Sequence, residues 1–395
     1  MAFPATRTDA LARLTAFLPR AGRAYAARRN FDEGPGQRSA VSELSPAIRR
    51  RLLTEEEVAR AAVAAHGFEA SEKFVMEVCW RSYWRGWLEA RPLVWQRYLA
   101  DVARLEGELG RNAGLAAGFG EAVSGWTGID CFDFWARELQ ETGYLHNHAR
   151  MSFASIWIFT LRLPWQLGAD FFFRHLLDAC PASNTLGWRW VAGLQTQGKT
   201  YLANADIIRR TSGGRFAVDA PLATCADPLS AEAPVHPAAL PPVPTADPDA
   251  PAGLFLHTED LCAETFDWPA PVRAVAGPTA IDGDPADGKR AYANDSLADG
   301  LRRACVHFGV DSARLPVDDL PRAIVDWARA GGFAQLLTAY APVGPVADRI
   351  ALMQQACAAA GIRLVPVRRS WDSRAWPHAT RGFSQFKGHI PELLA

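Results

Sequence analysis

The sequence lacks the features that mark metal sites, disulfide scaffolds and membrane proteins. Its 395 residues include seven cysteines, and no two of them form a CxxC pair. Their wide spacing and odd number argue against a disulfide framework and against a zinc or iron–sulfur site, so we predict no metal. No apolar run reaches about 18 residues, and the first residues lack the apolar stretch of a secretory signal. We therefore expect a cytoplasmic protein with no membrane partner.

Net charge is nearly absent as well. Lysine and arginine number 42 against 43 aspartates and glutamates, which gives a formal net charge of −1. Residues 1–218 carry 27 Lys and Arg against 22 Asp and Glu, whereas the remainder carries 15 against 21. A mildly basic first half permits a polyanionic partner such as DNA without requiring one.

Tryptophan, by contrast, is abundant. Fourteen are present, and ten of them precede residue 200: Trp80, Trp84, Trp87, Trp95, Trp126, Trp135, Trp157, Trp165, Trp188 and Trp190. Packing in a helical core explains many of these rings, because large aromatics bury much apolar surface. Their density also suits stacking on flat ligands or electron transfer.

Periodicity divides the chain into three parts. Segments such as "TRTDALARLTAFLPRAGRAYAARR", "SPAIRRRLLTEEEVARAAVAAHG" and "SEKFVMEVCWRSYWRGWLEARP" place apolar residues at helical spacing, and the last of these is predicted to start at Ser71. We predict an all-helical domain over residues 1–217. Proline and alanine then dominate without periodicity, which predicts a linker over residues 218–252.

Helix and strand patterns alternate in the last part, residues 253–395. A short apolar run, "LFLHTEDL", precedes the amphipathic segment "NDSLADGLRRACVHFGV". The runs "FAQLLTAYA" and "IRLVPV" each follow a helical pattern that ends in glycine. Such alternation is typical of βαβ units, so we predict a smaller α/β domain with a doubly wound, Rossmann-like parallel sheet.

Several motifs resemble the DNA photolyase/cryptochrome family. "GYLHNHARM" and "LPWQLGADFFFRHLLDACPASNTLGWRWVAG" resemble the family's FAD-binding domain, as do "VSELSPAIRRRLLTEEEV" and "FVMEVCWRSYW" before them. The resemblance covers about residues 20–210, with the motifs in family order. The α/β part looks like the domain that comes first in that family, which implies a circular permutation with the α/β domain C-terminal.

The resemblance implies a buried FAD and leaves its antenna pigment unidentified. It assigns nine residues to the cofactor: Tyr25, Ser42, Leu44, Ser45, Arg81, Arg150, Asp178, Cys180 and Asn184. Arg150 is expected to pair with Asp178 beside the isoalloxazine, and Asn184 to contact flavin N5. A buried salt bridge without a ligand is the alternative for this pair. Cys180 departs from the family, which usually has a second aspartate there, and this leaves the redox tuning of the flavin open.

The same resemblance assigns substrate and electron-transfer roles. Flipped-out bases are expected to contact five residues: Glu77, Trp80, Asn147, Met151 and Trp190. Trp188 and Trp165 match the first two tryptophans of an electron path to the flavin. The third position falls in a stretch without tryptophan, where Trp126, Trp135 or Trp157 are candidate substitutes. We take Glu77, Asn184, Trp188 and Trp165 as the catalytic set.

The implied function is FAD-dependent, blue-light-driven splitting of cyclobutane pyrimidine dimers, with damaged DNA as the partner. A cryptochrome-type photoreceptor that acts through an unidentified signalling partner is the main alternative, because the net basicity is weak and Cys180 departs from the family pattern. A flavin-binding scaffold without photochemistry is a third hypothesis. Enzymatic activity therefore stays open at the level of sequence.

Overall fold

A computed structural model describes residues 3–227, 229, 232–281 and 285–395. Residues 7–211, which we call the helical half, contain twelve α-helices within these ranges: α1 Arg7–Phe17, α2 Arg23–Arg28, α3 Ser45–Arg49, α4 Glu55–His66, α5 Phe68–Glu89, α6 Pro92–Leu109, α7 Ala113–Ser124, α8 Asp130–Thr142, α9 Asn147–Ser155, α10 Trp165–His175, α11 Pro181–Val191 and α12 Ala205–Thr211. The predicted helical part is therefore confirmed. In the described ranges, none of the helices combines the length and apolar character that a membrane crossing requires.

Local signals explain both ends of α4, whereas the break before it is unexpected. Thr54 caps α4 by accepting a hydrogen bond from the Glu57 backbone N–H, and Gly67 ends that helix with φ +74°. The single helix expected from Ser45 onward is wrong, because the chain leaves helical geometry between α3 and α4. Arg51 has φ +51° there, a left-handed conformation that cannot continue a right-handed helix. The next helix, α5, begins at Phe68, three residues before the predicted start.

The second part is a parallel sheet of five strands: β1 Ala252–Phe255, β2 Val272–Pro278, β3 Ser312–Leu315, β4 Gln335–Ala339 and β5 Arg363–Val367. The strand order is β3-β2-β1-β4-β5, with Leu254 of β1 opposite Val275 on one side and Leu337 on the other. Three helices connect successive strands: α13 Asp287–Phe308, α14 Leu320–Ala330 and α15 Pro345–Ala359. Every residue of β1 and β4 is buried, as expected for strands covered on both faces. The predicted doubly wound parallel sheet is confirmed.

The proline-rich segment between the two parts lies along the helical half. Its described residues from 216 to 251 form neither helix nor strand. The Ala238 backbone N–H donates to Ala90 O at 2.8 Å, and Arg91 Nε donates to Val235 O at 3.1 Å. These bonds hold the segment at the junction of α5 and α6.

Three short helices after the sheet return to the helical half: α16 Ser370–Ala375, α17 Phe383–Lys387 and α18 Ile390–Leu394. Trp376, which follows α16, is 1% exposed and packs directly on α5. A Cβ at Gly86 of α5 would lie 2.9 Å from the Trp376 backbone, so only glycine permits this approach. The two halves therefore share one hydrophobic core.

A buried ionic network also joins the halves. Arg51 donates to Glu55 at 3.1 Å, to Asp260 at 3.2 Å and to both oxygens of Asp372 at 2.8 and 2.6 Å. Arg369 forms a bidentate pair with Asp260 at 2.6 and 2.7 Å. We call these five residues the Arg51 network. Since all are buried or nearly so, loss of one member would leave an uncompensated charge and cost about 3–5 kcal/mol.

Candidate functional site

The ion pair expected between Arg150 and Asp178 is present. Arg150 on α9 donates from Nη1 and Nη2 to the two oxygens of Asp178 at 3.0 and 2.9 Å, and its Nε donates to Leu145 O. Asp178 is 4% exposed and precedes α11. Burial opposes ionisation, but Arg150, Arg81 and the Ser45 hydroxyl hold the pKa of Asp178 below its ordinary value. The carboxylate is therefore charged at neutral pH.

Cys180 lies in a strongly cationic environment. It is the N-cap residue of α11, where Arg49 Nε donates to the neighbouring Ala179 O at 2.8 Å. Burial raises the pKa of the thiol, but Arg85, Arg49 and Arg81 outweigh it and lower the pKa of Cys180 to about 7. The position that is an aspartate in the resembled family is thus partly anionic here as a thiolate.

Glu259 was missed by the sequence reasoning. It follows β1, at the carboxyl end of the sheet, and forms a bidentate pair with Arg49 at 2.6 Å for both contacts. Burial works against ionisation, yet Arg49 and Arg85 lower the pKa of Glu259 to about 2. The α/β part therefore contributes a charged group beside Cys180. The only sequence signal was the acidic pair after a buried strand, in "LFLHTEDL".

One face of α11 borders open space. Asn184, Gly187 and Trp190 follow one another at three-residue spacing and so lie on the same side of the helix. A Cβ built on Gly187 would meet no atom within 4 Å. Asn184 is 8% exposed, and its Nδ2 donates to Ala169 O at 2.8 Å, which orients the amide. This face of α11 is therefore open at Gly187.

The chain at the start of α3 reaches Asp178, because the Ser45 hydroxyl hydrogen-bonds that carboxylate. Ser42 and Ser45 are half-buried, and Leu44 between them is fully buried. Glu43 has φ +51°, an uncommon conformation for a residue with a side chain and one that often marks a functional turn. Tyr25 on α2 is 8% exposed and packs edge-on against Phe17 and Phe74.

Arg81 on α5 carries an unused hydrogen-bonding group. Its Nη1 is enclosed and has no hydrogen-bond partner among the described residues. Burial is the main reason that the pKa of Arg81 falls below its ordinary value, and nearby Cys180 and Asp178 only partly offset this effect. An enclosed guanidinium N–H without an acceptor is costly, which points to a ligand that supplies one.

The predicted substrate residues occupy different environments. Trp80 is half-buried and stacks on Phe383 of α17, with ring centroids 3.7 Å apart and an interplanar angle of 11°. Glu77 forms an ion pair with Arg29, yet burial raises its pKa above the ordinary value. Trp190 packs against Tyr201, with centroids 5.9 Å apart.

Two further substrate candidates lie on α9. Asn147 is exposed, and its amide points to Met151 Sδ at 3.8 Å. These two residues are therefore neighbours on the side of α9 that is open to solvent. A shared pocket formed by all five substrate candidates stays a prediction.

The tryptophan candidates for electron transfer lie in separate ring contacts, and their role stays a prediction. Trp188 packs edge-on against Trp157, with centroids 6.1 Å apart, whereas Trp165 stacks on Tyr98 at 5.7 Å. A Cβ at Gly168 would lie 2.3 Å from the Trp188 ring, so the glycine makes room for this packing. Trp157 is fully buried, and Trp126 is 77% exposed. Among the candidate substitutes, Trp157 has direct ring contact with Trp188.

Comparison with known proteins connects this geometry to one domain family. Residues 74–213 match the FAD binding domain of DNA photolyase. This part of the helical half is thus similar to a photolyase FAD-binding domain. The matched photolyase domain includes α5 and α9 to α11, and so contains Arg81, Arg150, Asp178 and Asn184.

Two relatives and one solved structure are similar to part of this chain. The chain is 30% identical over 200 residues to the deoxyribodipyrimidine photo-lyase of Synechococcus sp., which covers 47% of this chain and 38% of that protein. It is 33% identical over 198 residues to the protein of that name from Thermus thermophilus, and the match covers 49% of this chain and 44% of that protein. A bacterial class III photolyase structure from Agrobacterium tumefaciens aligns with TM-score 0.42 and 25% identity over 53% of this chain and 43% of that one. The matched region thus spans less than half the length of these relatives.

Residues of the helical half fit a bound FAD. Ser42 and Ser45 offer hydroxyl groups, and the enclosed Nη1 of Arg81 needs an acceptor. The Arg150–Asp178 pair supplies a fixed charged group, and the surface of α11 is open at Gly187. Such a donor set suits a ligand with both phosphate oxygens and a polar heterocycle.

Proposed function

We propose that this protein is a FAD-dependent, blue-light-driven DNA repair enzyme that splits cyclobutane pyrimidine dimers. The match of residues 74–213 to the FAD binding domain of DNA photolyase carries the proposal. The relatives from Synechococcus and Thermus, both named deoxyribodipyrimidine photo-lyase, support it.

Nine residues would hold the cofactor: Tyr25, Ser42, Leu44, Ser45, Arg81, Arg150, Asp178, Cys180 and Asn184. When bound, FAD supplies the light absorption and the electron chemistry, while the protein supplies binding, orientation and electrostatics. Ser42 and Ser45 would bind phosphate oxygens, and Asn184, held by Ala169 O, would present its amide to the ring system. Arg150, fixed by Asp178, would orient the ring from the α9 side.

The charges of this site favour a negatively charged ligand. Arg49, Arg81 and Arg85 surround Cys180, and Glu259 is the carboxylate that pairs with Arg49. Because guanidinium groups stay protonated, they would stabilise negative charge on a reduced flavin in this buried region. The thiolate of Cys180 would oppose this effect more weakly than a fully ionised aspartate.

On the substrate side, damaged DNA is the proposed partner. Glu77, Trp80, Asn147, Met151 and Trp190 would contact the flipped bases. Aromatic stacking on a flipped base is worth about 1–3 kcal/mol and does not depend on base identity. The rings of Trp80 and Trp190 would supply it, and Glu77 would accept or donate a hydrogen bond according to its protonation.

The decisive test is repair of a dimer-containing oligothymidine by the FAD-loaded protein under blue light. We expect restoration of the intact thymines in the light and none in the dark. A matched sample with Asn184→Asp tests the assigned flavin contact and should repair more slowly while it still folds. Failure of the FAD-loaded wild-type protein to repair the dimer, despite reduced flavin, would reject the repair function.

A cryptochrome-type photoreceptor is the second candidate function. The observation that favours it is the stacking of Phe383 on Trp80, which covers one face of a ring assigned to the flipped bases. Equal affinity of the wild-type protein for damaged and undamaged duplex would favour this reading. Under it, light would act on a signalling partner instead of on DNA.

We also infer a circular permutation with domains at residues 1–217 and 253–395, joined by residues 218–252. The strand order β3-β2-β1-β4-β5 and the position of "HTEDL" after β1 support it. A rearranged chain that begins at Ala252 and joins the present ends through a flexible linker should fold and take up FAD. Insolubility of this chain with several linker lengths would count against the inference.

A further inference from the structure

Lys289 is a buried cation without a counter-charge. It lies on α13, is 8% exposed, and belongs to the α/β part of the chain. Its Nζ donates to Phe173 O of α10 and lies 4.3 Å from the centroid of the Phe173 ring. No carboxylate pairs with it among the described residues. Buried lysines are rare unless they are paired, so this one calls for an explanation.

Arg50, at the end of α3, is a second cation of this kind. It is 4% exposed, and its Nε has no hydrogen-bond partner in the described part of the chain. Its guanidinium carbon lies 5.7 Å from the centroid of the Tyr292 ring. Tyr292 follows Lys289 by three residues on α13, so the two side chains lie on the same side of that helix. Arg50 lies near Tyr292 and repels the Lys289 ammonium electrostatically, which places the two cations in one region at the junction of the halves.

The carboxylates near these cations are already engaged. Glu259 is bound at both oxygens by Arg49, and Asp178 is bound at both oxygens by Arg150. Asp170 accepts a hydrogen bond from Arg174 at 2.6 Å. Both oxygens of Glu259 and of Asp178 are thus already bound by an arginine, and one oxygen of Asp170 is bound by Arg174.

The lack of a paired carboxylate affects the pKa of both Lys289 and Arg50. Burial, followed by the repulsion from Arg50 and Arg49, lowers the pKa of Lys289 to about 7. Burial and the neighbouring Arg49 lower the pKa of Arg50 to about 10. Two adjacent buried cations destabilise the protein unless an anion binds between them.

We propose that Arg50 and Lys289 form a phosphoryl-binding site between the helical half and the α/β part. The guanidinium offers several N–H donors and the ammonium offers a compact charge, a combination that suits a tetrahedral, doubly charged oxyanion. The site lies at the end of α3 opposite Ser45, so it is separate from the two serines assigned to the cofactor. The phosphoryl group belongs either to FAD itself or to a second phosphorylated ligand.

Titration of the flavin-free full-length protein with inorganic phosphate, at constant ionic strength, tests the site. Phosphate should raise the melting temperature of the wild-type protein more than chloride does. Lys289→Met and Arg50→Gln should each weaken phosphate binding about 10-fold or more, whereas Lys199→Met, at an exposed lysine, should not. Without phosphate, Lys289→Met should be at least as stable as wild type, because it removes an unpaired buried charge, and this separates lost binding from misfolding.

A second arm distinguishes the source of the phosphoryl group. If FAD-loaded protein no longer binds phosphate and Lys289→Met weakens FAD binding, the site takes the phosphates of FAD. If FAD-loaded protein still binds phosphate, the site takes a separate phosphorylated ligand. Equal phosphate affinity of wild type and Lys289→Met, or phosphate stabilisation no greater than that by chloride, would overturn the proposal.

Discussion

Replacement of Asp178 by alanine tests the centre of the candidate flavin site. The change leaves Arg150 without the two hydrogen bonds of 3.0 and 2.9 Å that now neutralise it. Breaking a buried pair from one side costs about 3–5 kcal/mol. The Arg150 side chain is 24% exposed and keeps its bond to Leu145 O, so we expect the lower end of that range, about 3 kcal/mol.

Thermal and urea unfolding of the flavin-free protein measure this effect. For a chain of 395 residues that unfolds as one unit, a loss of about 3 kcal/mol lowers Tm by roughly 4 °C. FAD uptake, followed by flavin absorbance, should be lost as well. Asp206→Asn is the control, because the Asp206–Arg209 pair is exposed and should contribute less than about 0.5 kcal/mol.

The double variant Asp178→Ala with Arg150→Met completes the experiment. Since it removes the stranded cation together with its partner, it should be more stable than Asp178→Ala alone. Asp178→Ala with the stability and flavin content of wild type would show that the pair supports neither folding nor cofactor binding, and would refute the reasoning.

Three other predictions follow from the same geometry. Trp190→Ala should weaken binding of dimer-containing DNA roughly 5- to 150-fold with FAD content unchanged. Trp126→Ala, at an exposed ring, should leave this DNA affinity unchanged. Equal losses of DNA affinity in both variants would exclude a specific stacking role of Trp190. Phe383→Ala should free a face of Trp80 and raise affinity for damaged DNA; lower affinity at unchanged stability would assign Phe383 to the DNA surface instead. In the folded protein the pKa of Cys180, about 7, is below its ordinary value of 9.0. The thiolate therefore stabilises the folded protein fully above pH 9.0, and this stabilisation is lost as the pH falls through 7. The stability advantage of wild type over Cys180→Ser should therefore grow by about 2–3 kcal/mol between these pH values, and a constant difference in urea unfolding would contradict a buried thiolate.

Sequence periodicity and turn residues predicted the helical half and the parallel sheet because these features depend on neighbours a few residues apart. The Arg150–Asp178 pair was predicted through the resemblance of its two motifs to the photolyase/cryptochrome family. The Arg49–Glu259 pair was not, because its partners are 210 residues apart and meet only when the halves pack. The break at Arg51 was missed for a similar reason. Its left-handed conformation is stabilised by the carboxylates of Asp260 and Asp372, which are distant in the chain. A local sequence pattern therefore does not predict it.

The Arg51 network has a consequence for how the halves recognise each other. Its partners come from residues 51–55, 260 and 369–372, so the attachment of the halves does not rely on the peptide segment between them. A protease cut within residues 237–245 should therefore yield two fragments that travel together in size-exclusion chromatography. High salt alone should not separate them, since screening acts weakly on charges that water does not reach. The connecting segment would then act as a tether that raises the local concentration of one half near the other. The contact surface itself would determine how the two halves pack together.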